Sequence, residues 1–352
     1  MEYQSSLHKK LSKGEFVYTA ETTPPDAASQ DVLLTKIMPL KGIADAVNVT
    51  DGPGAKVHMS SLTAAIILAQ NDIEPILQLT VRDRNRLALQ GDLVGASALG
   101  VHNILCLTGD NPKNGDQPDT TAVNDINSLT LVATANMMRK DKKFPSGRII
   151  EPPPKLYIGG AEMPTQGKPN PDKILNKIKM GVDFFQTQYV FDATILKEYM
   201  KVLGDAGILE KTSFIIGLGP FSSAKSAKWM NDNLIGVEVP VEIIKRLEQA
   251  KDQKKESQRT HLQQGVGSDR IHLQRRLSYR TSPNTGSKMS KTIQVKELEV
   301  GDSIIGPDTG NELLITGTKQ SVVFGWNAYN TEYGQLYLDP EAEIEIFWTE
   351  GS

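Results

Sequence analysis

Short runs rich in β-branched and aromatic residues recur through the first two thirds of the chain. They are Phe16–Thr19, Ala46–Thr50, Pro75–Thr80, Asn103–Leu107, Leu156–Gly159, Phe184–Val190 and Phe214–Leu218. Most begin roughly 28 to 30 residues after the one before, the length of a strand plus a return helix. Between them, Leu62–Gln70, Arg86–Leu99, Ile174–Met180 and Ala193–Ala206 repeat apolar residues at helical spacing. Such alternation implies parallel strands joined by right-handed crossovers. Seven strands of this kind suggest a (β/α)8 barrel more than an open sheet, although alternation alone does not decide between them. One long interval, from Asp110 to Lys155, holds a predicted helix over Ser128–Lys140 and a loop ending in Glu151-Pro152-Pro153-Pro154.

The pattern changes after a helix predicted over Val241–Glu256. An eighth strand and helix should follow to close the barrel. Residues 257–288 are instead rich in Arg, Gln and Ser without a sustained apolar period, which reads as an irregular linker. Its one strand-like fragment, Ile271-His272-Leu273, is short and flanked by arginines. The expectation is a barrel incomplete at its last strand and helix, with the gap left largely unfilled. A third texture starts at Met289. Ile293–Val295, Ser303–Ile305, Leu313–Ile315, Val322–Trp326, Gln335–Leu338 and Ile344–Trp348 predict a small all-β domain with Trp326 and Trp348 in its own core. The expected division is therefore a barrel over 1–256, a linker over 257–288 and a β domain over 289–352. The role of the last is not legible.

Composition narrows the function classes. The net charge of -3 argues against a nucleic-acid partner, which needs a basic surface. A single cysteine, Cys106, excludes an internal disulfide and points to a reducing, cytoplasmic setting. The five histidines show no metal-ligand spacing, so no metal is expected. No apolar run approaches the length of about 18 residues that a membrane span needs, and the N-terminus lacks a signal-peptide pattern.

The ends of the strands carry the candidate chemistry, because that is where a barrel builds its site. The first strand runs into Glu21-Thr22-Thr23-Pro24-Pro25, a carboxylate before a stiff turn; it is either an acid at the barrel mouth or a solvated turn residue. The second and fourth end in the glycine-containing turns Thr50-Asp51-Gly52-Pro53-Gly54 and Thr108-Gly109-Asp110, which approach a planar cofactor closely or simply turn the chain. Gln78 stands on the third strand, followed by Arg82, Arg84 and Arg86, an anion site or a charged helix start. On the sixth, Gln186 and Gln188 alternate onto one side, where two buried amides favour a ligand-facing role.

These segments together resemble the methylenetetrahydrofolate reductase family, in particular the short reductases of acetogens and other bacteria that handle one-carbon units. The matching stretches are Glu-Thr-Thr-Pro-Pro at 21–25, Ala-Val-Asn-Val-Thr-Asp-Gly at 46–52, Glu-Pro-Ile-Leu-Gln-Leu-Thr-Val-Arg-Asp-Arg-Asn-Arg at 74–86, Leu-Cys-Leu-Thr-Gly-Asp at 105–110 and Gln-Thr-Gln at 186–188. The likeness covers about residues 15–256. It implies FAD across the barrel mouth with folate stacked on it. Glu21 would protonate folate N10, flavin N5 would deliver hydride, and 5-methyltetrahydrofolate would form, feeding methionine biosynthesis. By the same resemblance Asp110 tunes the flavin, Thr50, Gly109 and Lys177 contact it, and Gln188 contacts the pterin and the reductant.

Three positions depart from many bacterial relatives: Asp51 stands where they have an aromatic residue, Gln78 where they have His and Thr108 where they have Arg. These changes thin the contacts to the outer part of FAD, so FMN enters beside it. The electron source is then NAD(P)H or a partner subunit, and a homo-oligomer is compatible with either. The departure after Ser257 reads as a frameshift or gene fusion, with Met289-Ser290-Lys291 resembling a former start. Two alternatives stay open: a truncated or fused barrel that binds flavin or folate without turnover, and a folate-dependent methyltransferase barrel.

Overall fold

The structure, a computed structural model, describes residues 2–164, 169–219, 221, 223–251, 256 and 271–274, and the strands within 289–294, 303–305, 312–323, 326–331, 334–338 and 343–348. The chain forms two compact units, Met1–Arg276 and Leu277–Ser352.

Seven parallel strands carry the first unit: β1 (Val17–Thr22), β2 (Ala46–Val49), β3 (Pro75–Thr80), β4 (Asn103–Leu107), β5 (Tyr157–Glu162), β6 (Phe184–Tyr189) and β7 (Ser213–Gly217). Each pairs with the next in chain order. All seven strands were expected, within a few residues at their ends. Strands covered on both faces are almost continuously apolar, which is what makes them visible in the sequence. Around them run α1 (Ser6–Ser12), α2 (Gln30–Ile37), α3 (Ser61–Gln70), α4 (Arg86–Ala98), α5 (Ser128–Lys140), α6 (Pro171–Met180), α7 (Ala193–Asp205), α8 (Ala224–Asn233) and α9 (Val241–Gln249). The last stops short of the expected Glu256 because Ala250 turns to an extended conformation.

The barrel is stoppered at the N-terminal ends of its strands. Helix α1, capped by Ser5, whose hydroxyl accepts from the His8 amide, puts Leu7 and Leu11 on one face at a spacing of four residues. Both are buried in a cluster with Val17, Ala46, Ile76, Leu105, Tyr157, Phe184 and Ile215, one or more residues from most strands. This floor is apolar, so a site in the barrel interior lies above it, toward the strand C-termini.

The expectation of an unfilled gap is corrected. A further strand, β8 (Ile271–Gln274), lies antiparallel between β7 and β1, pairing with Ile215–Gly217 on one side and Val17–Ala20 on the other. It falls inside the stretch read as linker. Backbone pairing requires only an extended segment whose N–H and C=O groups meet two open edges, so flanking arginines do not prevent it. Outside β1, Phe16 and Tyr18 stay about half exposed and pack edge to face, with ring centroids 4.7 Å apart. That is the surface a final helix covers in a complete barrel. Leu273→Pro removes one ladder donor from a strand paired on both sides. Losing a bond worth about 1 kcal/mol should lower the melting temperature by at least roughly 2–4 °C. An unchanged melting curve would show that β8 contributes nothing to closure.

In the second unit, six strands pair antiparallel in the order β13-β12-β11-β10-β14-β9: β9 (Met289–Gln294), β10 (Ser303–Ile305), β11 (Glu312–Val323), β12 (Trp326–Thr331), β13 (Gly334–Leu338) and β14 (Glu343–Trp348). The reading of separate strands at Leu313–Ile315 and Val322–Trp326 is corrected, since β11 joins the first to Val322 and Val323, and Trp326 opens β12. Its register against β12 shifts between Ile315 and Ser321, which lets one long strand bend as two short ones would. Val295, the side chains of Trp326 and Trp348 expected in a core, and the rest of the linker over 257–288 lie outside the described residues.

Candidate functional site

Side chains alternate along a strand, so the apolar floor fixes which residues face the barrel interior above it. Continuing the inward rows gives Thr19 and Glu21 on β1, Asn48 on β2, Gln78 on β3, Leu107 on β4, Gly159 and Ala161 on β5, and Gln186 on β6. The interior thus changes from apolar to polar within one step toward the mouth. Asn48, wholly buried, stands opposite Glu21 in the β1–β2 ladder, and its Nδ2 donates to Glu21 Oε2 at 2.9 Å. Gln78, half-buried, makes no side-chain hydrogen bond among the described residues. Both Glu21 and Gln78 therefore lie where the sequence placed them.

Two glycine turns form the rim beside them. Gly52 and Gly109 take φ values of +54° and +92°, which residues with a Cβ rarely adopt. A Cβ on Gly52 would also stand 2.5 Å from Arg82 Nη2, and one on Gly109 3.0 Å from Arg82 Cβ. Arg82 is the clasp between these turns. Its Nη1 donates to Gly52 O (3.1 Å) and Asp110 O (3.4 Å), while Nε and Nη2 grip Asp83. Asp110, exposed on the rim, accepts from Gly54 N at 2.7 Å, so the β2 and β4 turns are tied from both directions.

Asp51 and Arg84 form a second, deeper knot. Asp51 accepts from Ser61 Oγ, Thr80 N, Thr80 Oγ1 and both terminal nitrogens of Arg84, and Arg84 Nε also meets Asp92 at 3.1 Å. Burial pushes the Asp51 carboxyl up, but the Arg84 guanidinium and the two Thr80 donors outweigh it and hold it below the ordinary range. Arg86 pairs with Asp125. Of the two readings of the three arginines, an anion site or a charged helix start, the ion pairs favour the second: each pairs with an aspartate. Asp51, expected beside the cofactor, has both its oxygens engaged inside the protein.

The other expected contacts are scattered. Thr50 is buried, bonding Thr22 O and Thr23 Oγ1. Thr108 is exposed, donates from Oγ1 to Ser128 Oγ at 3.5 Å and borders a cleft of about 560 Å³ lined also by Val81, Arg86, Asp125 and Thr130. Lys177 sits between α6 and the outer face of β5. Its ammonium donates to Ala161 O at 2.7 Å and pairs with Glu162, so it is not turned to the mouth. Gln186 and Gln188 do not act as a matched pair. A register shift between Gln186 and Tyr189 interrupts the alternation, and Gln188 Nε2 donates to Ile235 O at 3.2 Å. Cys106 is buried, and burial pushes its thiol up to about 12, so it supplies no thiolate. Among the described residues no cluster of His, Cys, Asp and Glu could hold a metal ion, and no helix is long and apolar enough to cross a membrane.

The sequence reading missed Asn48 and the clasp role of Arg82. Asn48 had a signal: it is the one polar residue in Ala-Val-Asn-Val, on the inward parity of its strand. Arg82 had none, because its partners are backbone oxygens far away in sequence.

Residues 6–267 match the family model for methylenetetrahydrofolate reductase. The chain is 24% identical over 262 residues to methylenetetrahydrofolate reductase 2 of Schizosaccharomyces pombe, covering 70% of this chain and 39% of that protein. It thus spans less than half the length of that relative. An uncharacterized protein from Clostridium thermocellum, described as binding two copies of 5-methyl-5,6,7,8-tetrahydrofolic acid, superposes with a TM-score of 0.52. The two are 16% identical, and the match covers 73% of this chain and 84% of that one. At that identity the likeness speaks for the fold.

Proposed function

Because the chain belongs to the methylenetetrahydrofolate reductase family, we propose that it reduces 5,10-methylenetetrahydrofolate to 5-methyltetrahydrofolate with a bound flavin. NAD(P)H or a partner subunit supplies the electrons. The observation that carries this reading is the position of Glu21, an inward-facing carboxyl in a polar layer directly above an apolar floor, held by a buried amide. A carboxyl there is placed to give its proton to folate N10 as the bond from N10 to the bridging carbon breaks.

The residues present fit a flat heterocycle rich in hydrogen-bonding groups. Gln78 keeps its amide uncommitted among the described residues, and Gly109 puts no side chain of its own on the rim beside it. Gln78, Gly109 and Asp110 would hold the flavin ring system, and Gln188 borders the folate side. When bound, the flavin supplies the hydride that the bridging carbon takes up. The three arginines beside the rim are neutralised by aspartates, so they offer little to a second phosphate. That supports FMN as an occupant beside FAD, the family's usual cofactor.

Loading the purified chain with FAD and FMN in turn, followed by gel filtration, tests the cofactor. At least one should co-elute with visible flavin absorbance. If neither does, the flavin reading fails, and with it the reductase.

A further inference from the structure

Asn48 is an odd residue for its place. It is completely buried, its strand neighbours Val47 and Val49 are equally buried, and Ile76 stands opposite it on β3. An apolar side chain would fill that space without a polar group to satisfy. Among the described residues the amide instead makes one hydrogen bond, from Nδ2 to Glu21 Oε2, and its buried Oδ1 meets no donor. A half-satisfied buried amide is costly for the fold, so its use is to be sought in what it holds.

What it holds is a carboxyl that must exist in two states. An amide offers a donor at one end and an acceptor at the other, about half a turn apart around the last side-chain bond. When Glu21 is ionised, Nδ2 donates to it, as in the structure. When Glu21 carries a proton, Oδ1 can accept from the carboxyl O–H after the amide turns over. An apolar residue can serve neither state, and a serine hydroxyl, which can donate or accept, reaches less far, whereas the amide serves both by turning over in place.

We propose that Asn48 is the positioning residue of Glu21, keeping the carboxyl oriented both before and after it gives up its proton. The proposal rests on the reading of Glu21 as proton donor. The group that touches substrate is Glu21; Asn48 acts through it.

The test uses the full chain loaded with flavin. In Asn48→Ala, reoxidation of the reduced flavin by methylenetetrahydrofolate should slow by about 10²-fold, the loss a misplaced group brings. The KM for folate and the rate of flavin reduction by dithionite should stay unchanged. Asn48→Ser, whose hydroxyl can still donate or accept, should recover part of the rate. Adding Asn48→Ala to Glu21→Gln should cost nothing more, because the two residues act as one unit. Equal losses in both half-reactions, or losses that multiply in the double variant, would overturn the proposal. An infrared measurement separates this failure from that of the function. With 13C-labelled glutamate, the Glu21 carboxyl band, identified by its loss in Glu21→Gln, should move in Asn48→Ala. An unmoved band sinks the positioning role whether or not folate is turned over. A moved band in a chain that turns over no folate overturns only the reductase reading.

Discussion

Glu21→Gln is expected to abolish reoxidation of the reduced flavin by methylenetetrahydrofolate while leaving reduction of the flavin by its electron donor nearly intact. The amide keeps the size and shape of the carboxyl, so the polar layer stays packed and Asn48 retains a partner at its side. What it loses is a transferable proton. Opening the bridge requires one at N10, and removing a positioned general acid costs roughly 10²- to 10⁴-fold. Flavin reduction needs no proton from this group, and Asp110 and the Gly109 turn, which border the flavin in this reading, are untouched. Stopped-flow measurement of the two half-reactions separates the cases. Equal damage to both would mean that Glu21 holds the cofactor, and undiminished folate reduction would mean that the acid lies elsewhere.

What could be read from the chain without a structure depended on how far apart the interacting residues stand. The seven parallel strands announce themselves locally, as apolar runs of four to six residues at a regular interval. Helices α1 and α2 do not, since each anchors through a pair of apolar residues, Leu7 with Leu11 and Leu33 with Ile37, within otherwise polar surroundings. β8 was discounted on its side chains, although its pairing is made by the backbone. The inward-facing strand positions of Glu21 and Gln78 were legible because strand parity is a local property. The ion pairs of Asp51 and Lys177 were not legible, because their partners, Arg84 and Glu162, come from other segments of the chain. A residue type says what a side chain can bind, and only the fold says that the binding capacity is already used. The register shift that separates Gln186 from Gln188 leaves no mark in the sequence Gln-Thr-Gln.

Asp51→Ala should be the most destabilising of the single changes considered, and its effect should depend on pH in a defined direction. The Asp51 and Arg84 side chains are 6% and 19% exposed, so the pair is largely shielded from water. Removing one partner of a buried pair costs roughly 3–5 kcal/mol, because the remaining charge stays buried. Here Asp92 still faces Arg84, which places the loss near the lower end, about 3 kcal/mol. Asp92 is itself pushed up by burial, so it compensates only in part. At roughly 2–4 °C per kcal/mol for a unit of this size, the melting temperature should fall by about 6–12 °C near neutral pH. The folded-state pKa of Asp51 lies below its ordinary 3.8, so its contribution is complete above that value and is lost as pH falls through the folded pKa. The gap between the variant and the unaltered chain should therefore be full at about pH 7 and narrow progressively once the pH drops below about 4. Flavin occupancy should fall with stability, since Asp51 anchors the turn whose Gly54 amide reaches Asp110. Thermal melts of both proteins across that range decide it. A gap that stays constant with pH would show that the variant loses packing alone and that the ion pair contributes nothing.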